Sequence, residues 1–239
     1  MEQLQSTGKC LFCNELFSKA GITRHLATHL SQKNKEGTTG ISFHVKIESD
    51  FNGSPYFLNL WVDGDALMED IDSFLRAIWL ECCGHMSAFS NPKVKRLWSM
   101  DFENDENDED EFMEQSAKEA LSKGLKLKYD YDFGSTTQLR LTVQEQYNIK
   151  APEPIVLLSR NEPLAIMCDI CHTEPATTIC TACWEDNTFC KKCAKKHAKT
   201  CEDYADYAAI PLVNSPRTGV CAYEGGIIDK GRDGTFVKK

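Results

Sequence analysis

Eight side chains that bind zinc fall in one short segment, as Cys168-x2-Cys171-x8-Cys180-x2-Cys183-x6-Cys190-x2-Cys193-x3-His197-x3-Cys201. Thiolate and imidazole are the ligands zinc prefers, and four of them close a tetrahedral shell with no position left for water. Eight ligands in four close pairs therefore predict two closed sites, a structural chemistry rather than a hydrolytic one. A further set, Cys10-x2-Cys13-x11-His25-x3-His29, stands near the N-terminus. Its Cys-x2-Cys knuckle supplies two ligands, and histidines four residues apart share one face of a helix. The two segments together predict about three zinc ions per chain.

The N-terminal set resembles the two-cysteine, two-histidine zinc finger. Phe17 and Ile22 occupy the places where that finger keeps its aromatic and aliphatic core residues. The cysteine-to-histidine gap of eleven is one short of the usual twelve. A unit this small has no adequate core without metal, so coordination supplies its folding energy, on the order of 10–16 kcal/mol. In the finger's DNA-reading mode the groove-facing positions fall near Ser18, Gly21 and Arg24, of which only Arg24 suits a guanine edge. One finger buries too little surface for useful specificity, so a structural or protein-docking finger is the expectation.

The C-terminal set resembles B-box and RING-like cross-braced zinc modules. A cross-brace assigns Cys168, Cys171, Cys190 and Cys193 to one site, and Cys180, Cys183, His197 and Cys201 to the other; sequential pairing is the alternative. Ile170 and Trp184 could stand in for the apolar surface of a RING ligase, but the spacing is nearer a B-box, whose usual business is binding proteins. A short helix over Ala194 to Lys199 would present lysines.

Between these ends the sequence predicts an α+β domain. Ile41 to Ile47 alternates apolar and polar residues, as a half-buried strand does. The turn residues Asn52 to Pro55 lead into a returning strand, Tyr56 to Val62, and Asp63-Gly64-Asp65 ends it. Leu67, Ile71, Phe74, Leu75, Ile78 and Trp79 repeat at helical spacing, which predicts a helix over Ala66 to Glu81. A strand over Lys93 to Met100 and a short helix over Phe112 to Ser122, ended by Gly124, follow. Leu125 to Phe133 and Leu139 to Val143 then alternate as a hairpin around Gly134 to Thr137. The expected architecture is α+β, a mixed or antiparallel sheet with two helices on one face, flanked by small zinc-stabilised modules at both ends. The expected boundaries are a finger at 1–30, a linker at 31–40, the α+β domain at 41–150 and a double-zinc module with a tail at 151–239.

The central segment resembles a family first named from open reading frame three of an agrobacterial Ri plasmid, also known as an insertion-element passenger protein. The likeness rests on Tyr56-Phe-Leu-Asn-Leu-Trp61 with its following helix, on Gly84-His85-Met86-Ser87-Ala88-Phe89, and on Tyr129-Asp-Tyr131-Asp132-Phe133-Gly134. Met86-Ser87 and Ser135 depart from the family pattern at its polar positions. The resemblance implies a fold and a mobile-element association, with no defined activity.

Composition sets the remaining bounds. Net charge is −9, and eight of the eleven residues from Asp101 to Glu111 are acidic. That run is a solvated loop or a docking strip for a basic partner. Without a signal peptide or a long apolar run, a cytoplasmic location without a membrane span is expected, where twelve cysteines favour metal over disulfides. Cys82 and Cys83 are expected to pack as small apolar groups, His85 to cap or pack, Cys221 to be a packed or free thiol, and the polar stretch Gly225 to Lys239 to fray.

The resulting reading is a non-enzymatic zinc-binding adaptor with an unidentified protein partner. One alternative is nucleic-acid binding through Arg24 and the stripe Lys191, Lys192, Lys195, Lys196 and Lys199. A further alternative is an acid/base enzyme at His85 and Asp132, with His44 and the Cys82–Cys83 pair as other candidate groups.

Overall fold

The chain's alternating segments pair into a six-stranded sheet, with the finger folded onto it. The structure, a computed structural model, describes residues 6–36, 39–51, 53–91, 112–185 and 187–234. The expected strand Lys93 to Met100 and the acidic run lie outside those residues.

The sheet carries β3 (Thr39–Ser49), β4 (Phe57–Asp63), β5 (Ser87–Ser90), β6 (Lys126–Tyr131), β7 (Thr137–Ile149) and β8 (Ile155–Arg160) in the order β5-β6-β7-β3-β4-β8. Every neighbouring pair is antiparallel. Two strands were not expected: the short β5, and β8, whose apolar run Ile155-Val-Leu-Leu follows two prolines. The helix expected over Ala66 to Glu81 forms as α2 (Met68–Leu75) continuing into a π-helical turn, Arg76–Leu80. The expected helix over Phe112 to Ser122 forms in two pieces, residues 112–114 and, after a break at Gln115 and Ser116, α3 (Ala117–Ala120), capped by Ser116 and Glu119 in a capping box.

The finger is built from a hairpin of β1 (Thr7–Lys9) and β2 (Leu16–Ser18) leading into α1 (Lys19–Glu36). Ser18 caps α1 through a hydrogen bond from the Gly21 amide, 3.2 Å. Helix α1 runs on to Glu36, into the stretch whose composition suggests a linker. Its residues Ile22, Leu26 and Leu30, four apart, bury completely against Phe57 and Trp61 of β4, Tyr147 and Ile149 of β7 and Leu158 of β8. This is why β4 is buried at every position: both of its faces are covered.

A bulge makes that packing possible. Val45 pairs with Val143 and His44 with Glu145, so Gln144 has no partner in β3. One extra residue moves everything beyond it to the opposite face. Leu139, Leu141 and Val143 face away from α1, whereas Tyr147 and Ile149 face it.

The chain divides into two compact units, one of Gln5–Phe74 with Met86–Asn161, the other containing Leu75–His85 and Glu162–Lys239. The finger and the sheet therefore share one unit. In the second unit, β9 (Thr178–Cys180), β10 (Thr188–Phe189) and β11 (Ala209–Pro211) form a small sheet in the order β10-β9-β11, with helix α4 (Lys191–His197) after β10. A second π-helical turn, Tyr204–Ala208, precedes β11. Of the stretch Gly225 to Lys239, expected to fray, residues 225–234 are bonded down instead, and the rest lies outside the described residues. Ile227 donates its amide to the Ala77 carbonyl at 2.8 Å, and the Ser215 hydroxyl donates to the Trp79 carbonyl at 2.6 Å. Both carbonyls belong to the first π turn, whose altered ladder leaves acceptors to be satisfied from outside the helix.

Candidate metal centres

The ligand atoms of Cys10, Cys13, His25 and His29 all lie within 4.8 Å of one another. A tetrahedral shell with bonds of ~2.0–2.3 Å holds its ligand atoms roughly 3.3–3.8 Å apart. The Cys13 Sγ to His25 Nε2 separation is 3.3 Å, and the two histidine Nε2 atoms are 3.1 Å apart. The β1–β2 hairpin supplies the cysteines and α1 the histidines, one turn apart. Phe17 stacks on the His25 ring at 4.0 Å between centroids and Phe12 lies against His29 at 5.1 Å, fixing both rings. Burial, then His25 and Lys33, lowers the His29 pKa, which favours the neutral ring that a metal requires.

In the second unit the structure joins Cys168, Cys171, Cys190 and Cys193 in one group, and Cys180, Cys183, His197 and Cys201 in another. That is the cross-braced pairing; the sequential alternative is not formed. Cys171 and Cys190 sulfurs are 3.9 Å apart, and Cys183 Sγ is 3.6 Å from His197 Nε2. Phe189 stacks on His197 at 4.2 Å, repeating the arrangement of Phe17 and His25, and Tyr204 meets both rings edge-on. The buried cysteines, Phe189, Tyr204 and Ala208 are themselves the core here. A core so dependent on sulfur is stable only when the sulfurs are held together.

Protonation follows from that crowding. The Thr173 hydroxyl, joined by the amides of Thr173 and Glu174, pulls the Cys171 thiol down to about 6. Its neighbour Cys180, with burial second, pushes Cys183 up to about 11, and burial pushes Cys193 up to about 12. Several thiolates packed together repel, and a divalent cation removes the conflict.

The structure also gathers a group that the spacing did not announce. Cys82, Cys83, His85 and Cys221 bring four ligand atoms within 4.8 Å of one another. The expectation that both adjacent cysteines pack as apolar groups is therefore corrected: Cys83 and Cys221 are exposed and Cys82 is half-buried. Among the described residues the groups of cysteine and histidine ligand atoms number four, one more than the spacing announced. Cys82-x2-His85 is itself a knuckle spacing, but its partner lies 136 residues away from His85, beyond any local pattern.

The remaining candidates have structural settings. Asp132 adopts φ 64°, and its Oδ1 accepts the amides of Gly134 at 3.0 Å and Ser135 at 3.1 Å, which shapes the β6–β7 turn. His44 is fully buried on the α1 side of the sheet, with Nε2 2.9 Å from Asn59 Oδ1, and burial lowers its pKa to about 4. Arg24, on the exposed side of α1, borders an open groove with Lys46, Lys126 and Arg140 from the sheet. Lys191, Lys192, Lys195, Lys196 and Lys199 are all exposed. Among the described residues, no helix is long and apolar enough to cross a membrane.

No known family model matches the chain, and no curated protein matches it significantly in sequence. Among solved structures it is similar to a protein of unknown function, MM3350, from Methanosarcina mazei Go1. The two share 14% identity over 51% of this chain and 68% of that one, with a TM-score of 0.38.

Proposed function

We propose that this protein is a zinc-built, non-enzymatic adaptor that docks a protein partner through its C-terminal module. The carrying observation is the ligand chemistry: three groups of four cysteine or histidine atoms converge at tetrahedral separations, at the positions where spacing predicted closed shells. Closed shells hold structure rather than activate water, so the ions shape surfaces. The second unit carries the apolar candidates for such a surface. Trp184, directly after the ligand Cys183, is 98% exposed, and Ile170 inside the first knuckle is 54% exposed. An indole exposed to solvent beside a metal knuckle is the kind of anchor that dominates protein interfaces.

The test compares wild type with Trp184→Ala, which removes no ligand. Zinc content is expected to stay unchanged, while proteins crosslinked to the full chain in its native cells are lost. Equal crosslinking by the two proteins would contradict the reading.

The lysine stripe favours a second reading, nucleic-acid binding. Five exposed lysines on and after α4, with Arg24 elsewhere, could neutralise phosphates despite the acidic whole. Such contacts give an affinity that falls steeply with salt. A salt titration with duplex DNA and with RNA separates the two readings, since docking to a protein through Trp184 has no such slope.

A further inference from the structure

We infer that Cys82, Cys83, His85 and Cys221 form a fourth zinc site, which staples the C-terminal segment to the end of the π-helical turn. This goes beyond the adaptor reading and does not depend on it.

The distances are those of a single tetrahedral ion. Cys83 Sγ lies 3.6 Å from Cys82 Sγ, 3.5 Å from Cys221 Sγ and 3.0 Å from His85 Nε2, and His85 Nε2 is 3.4 Å from Cys221 Sγ. Shell edges of roughly 3.3–3.8 Å match the three longer distances, as do the 3.3 and 3.6 Å edges at the two sites that pair cysteine with histidine, and the 3.0 Å edge is near the 3.1 Å between the finger's two histidines. An iron–sulfur cluster interposes several atoms between its thiolates and would need them farther apart.

The surroundings are built for a metal thiolate. Three thiolates, a neutral imidazole and a divalent ion leave roughly one negative charge. Arg217, whose side chain is fully buried, donates from Nη2 to Cys82 Sγ at 3.5 Å, a cation placed where that excess falls. Arg76 braces the ligand loop from outside, bonding Glu81 through Nη1 at 2.8 Å and the His85 carbonyl through Nη2 at 2.7 Å. Gly84, directly after Cys83, has φ 76°, in the left-handed region used by Asn14 after Cys13 and by His172 after Cys171. The same backbone turn therefore follows a cysteine in the finger knuckle, the first cross-brace knuckle and this loop. With this site included, all twelve cysteines of the chain are metal ligands and none is left over.

This group differs from the others in having no buried ligand, whereas each of the other three keeps at least one inside the core. Its ion is consequently the most accessible to chelators, and its loss frees the tail around Cys221 without dismantling the cysteine core around Phe189.

The experiment measures zinc per chain in the full-length protein, for wild type, Cys221→Ser and Cys83→Ser. It is paired with native alkylation of wild type, mapped by peptide during graded chelation. Four zinc ions in wild type and three in either variant are expected, with Cys83 and Cys221 labelled before Cys180 and Cys183 as chelator rises. Three zinc ions in wild type, with Cys83 and Cys221 alkylated at the rate of free thiols, would overturn the inference and leave the other three sites standing. A Cys83–Cys221 disulfide in freshly isolated metal-loaded protein would overturn it equally. The labelling order is read on wild type, so it decides the matter even where a variant fails to fold.

Discussion

His44 shows how one residue's setting becomes a measurable property. Burial holds its pKa near about 4, below the ordinary value of 6.5, with only Asn59 pulling the other way. The folded chain therefore binds this proton less readily than the unfolded chain. The contribution to stability is full above about pH 6.5 and is lost as pH falls through about 4. Between pH 7 and 5 the loss is about 2 kcal/mol. His44→Gln should flatten that part of the stability profile relative to wild type when denaturation midpoints are compared at both pH values. Metal loss affects both proteins alike, so parallel profiles would refute this account of His44. At this scale the sequence was legible where ligands sit close together. Cys10 to His29 and Cys168 to Cys201 each declare themselves by local spacing. Cys221 does not, because its partners are brought to it by the fold from 136 and 138 residues away. Asp132, an acid/base candidate by residue type, also accepts two turn amides, a structural task that its sequence position does not reveal.

At the scale of elements, one glycine lets the finger's hairpin approach the sheet closely, beside the packing of α1. Gly8 bridges Asn161, and a Cβ there would stand 2.7 Å from both the Phe57 ring and the Ser159 hydroxyl. Gly8→Ala should cost about 1–3 kcal/mol by forcing the hairpin off the sheet, read as a lower denaturant midpoint at unchanged zinc content. An unaltered midpoint would mean that the contact is not as tight as the backbone places it. The strands β3, β4, β6 and the first half of β7 were legible from alternation. The second half of β7 was hidden because the bulge at Gln144 lies in the polar run Gln144-Glu145-Gln146, which reads as a strand end. Strand β8 was hidden by Pro152 and Pro154, which punctuate the chain without taking it away from the sheet. The π turn was read as ordinary helix, since its apolar periodicity barely differs over so short a stretch.

For the molecule as a whole, the α+β class was legible, and the division into units was not. Composition marks boundaries near 30 and 150, yet the finger shares the sheet's unit, and Leu75–His85 belongs with the C-terminal residues. Packing between distant segments decides this, and a linear reading has no access to it. Both units contain candidate metal centres, so the account stands on ions as structural parts. The most direct test is zinc quantification of protein isolated without added metal, followed by hydrogen exchange before and after chelation. At least three zinc ions per chain are expected, with protection in α1 and α4 collapsing once they are removed. Protein that is isolated metal-free and still protects both helices would contradict the account.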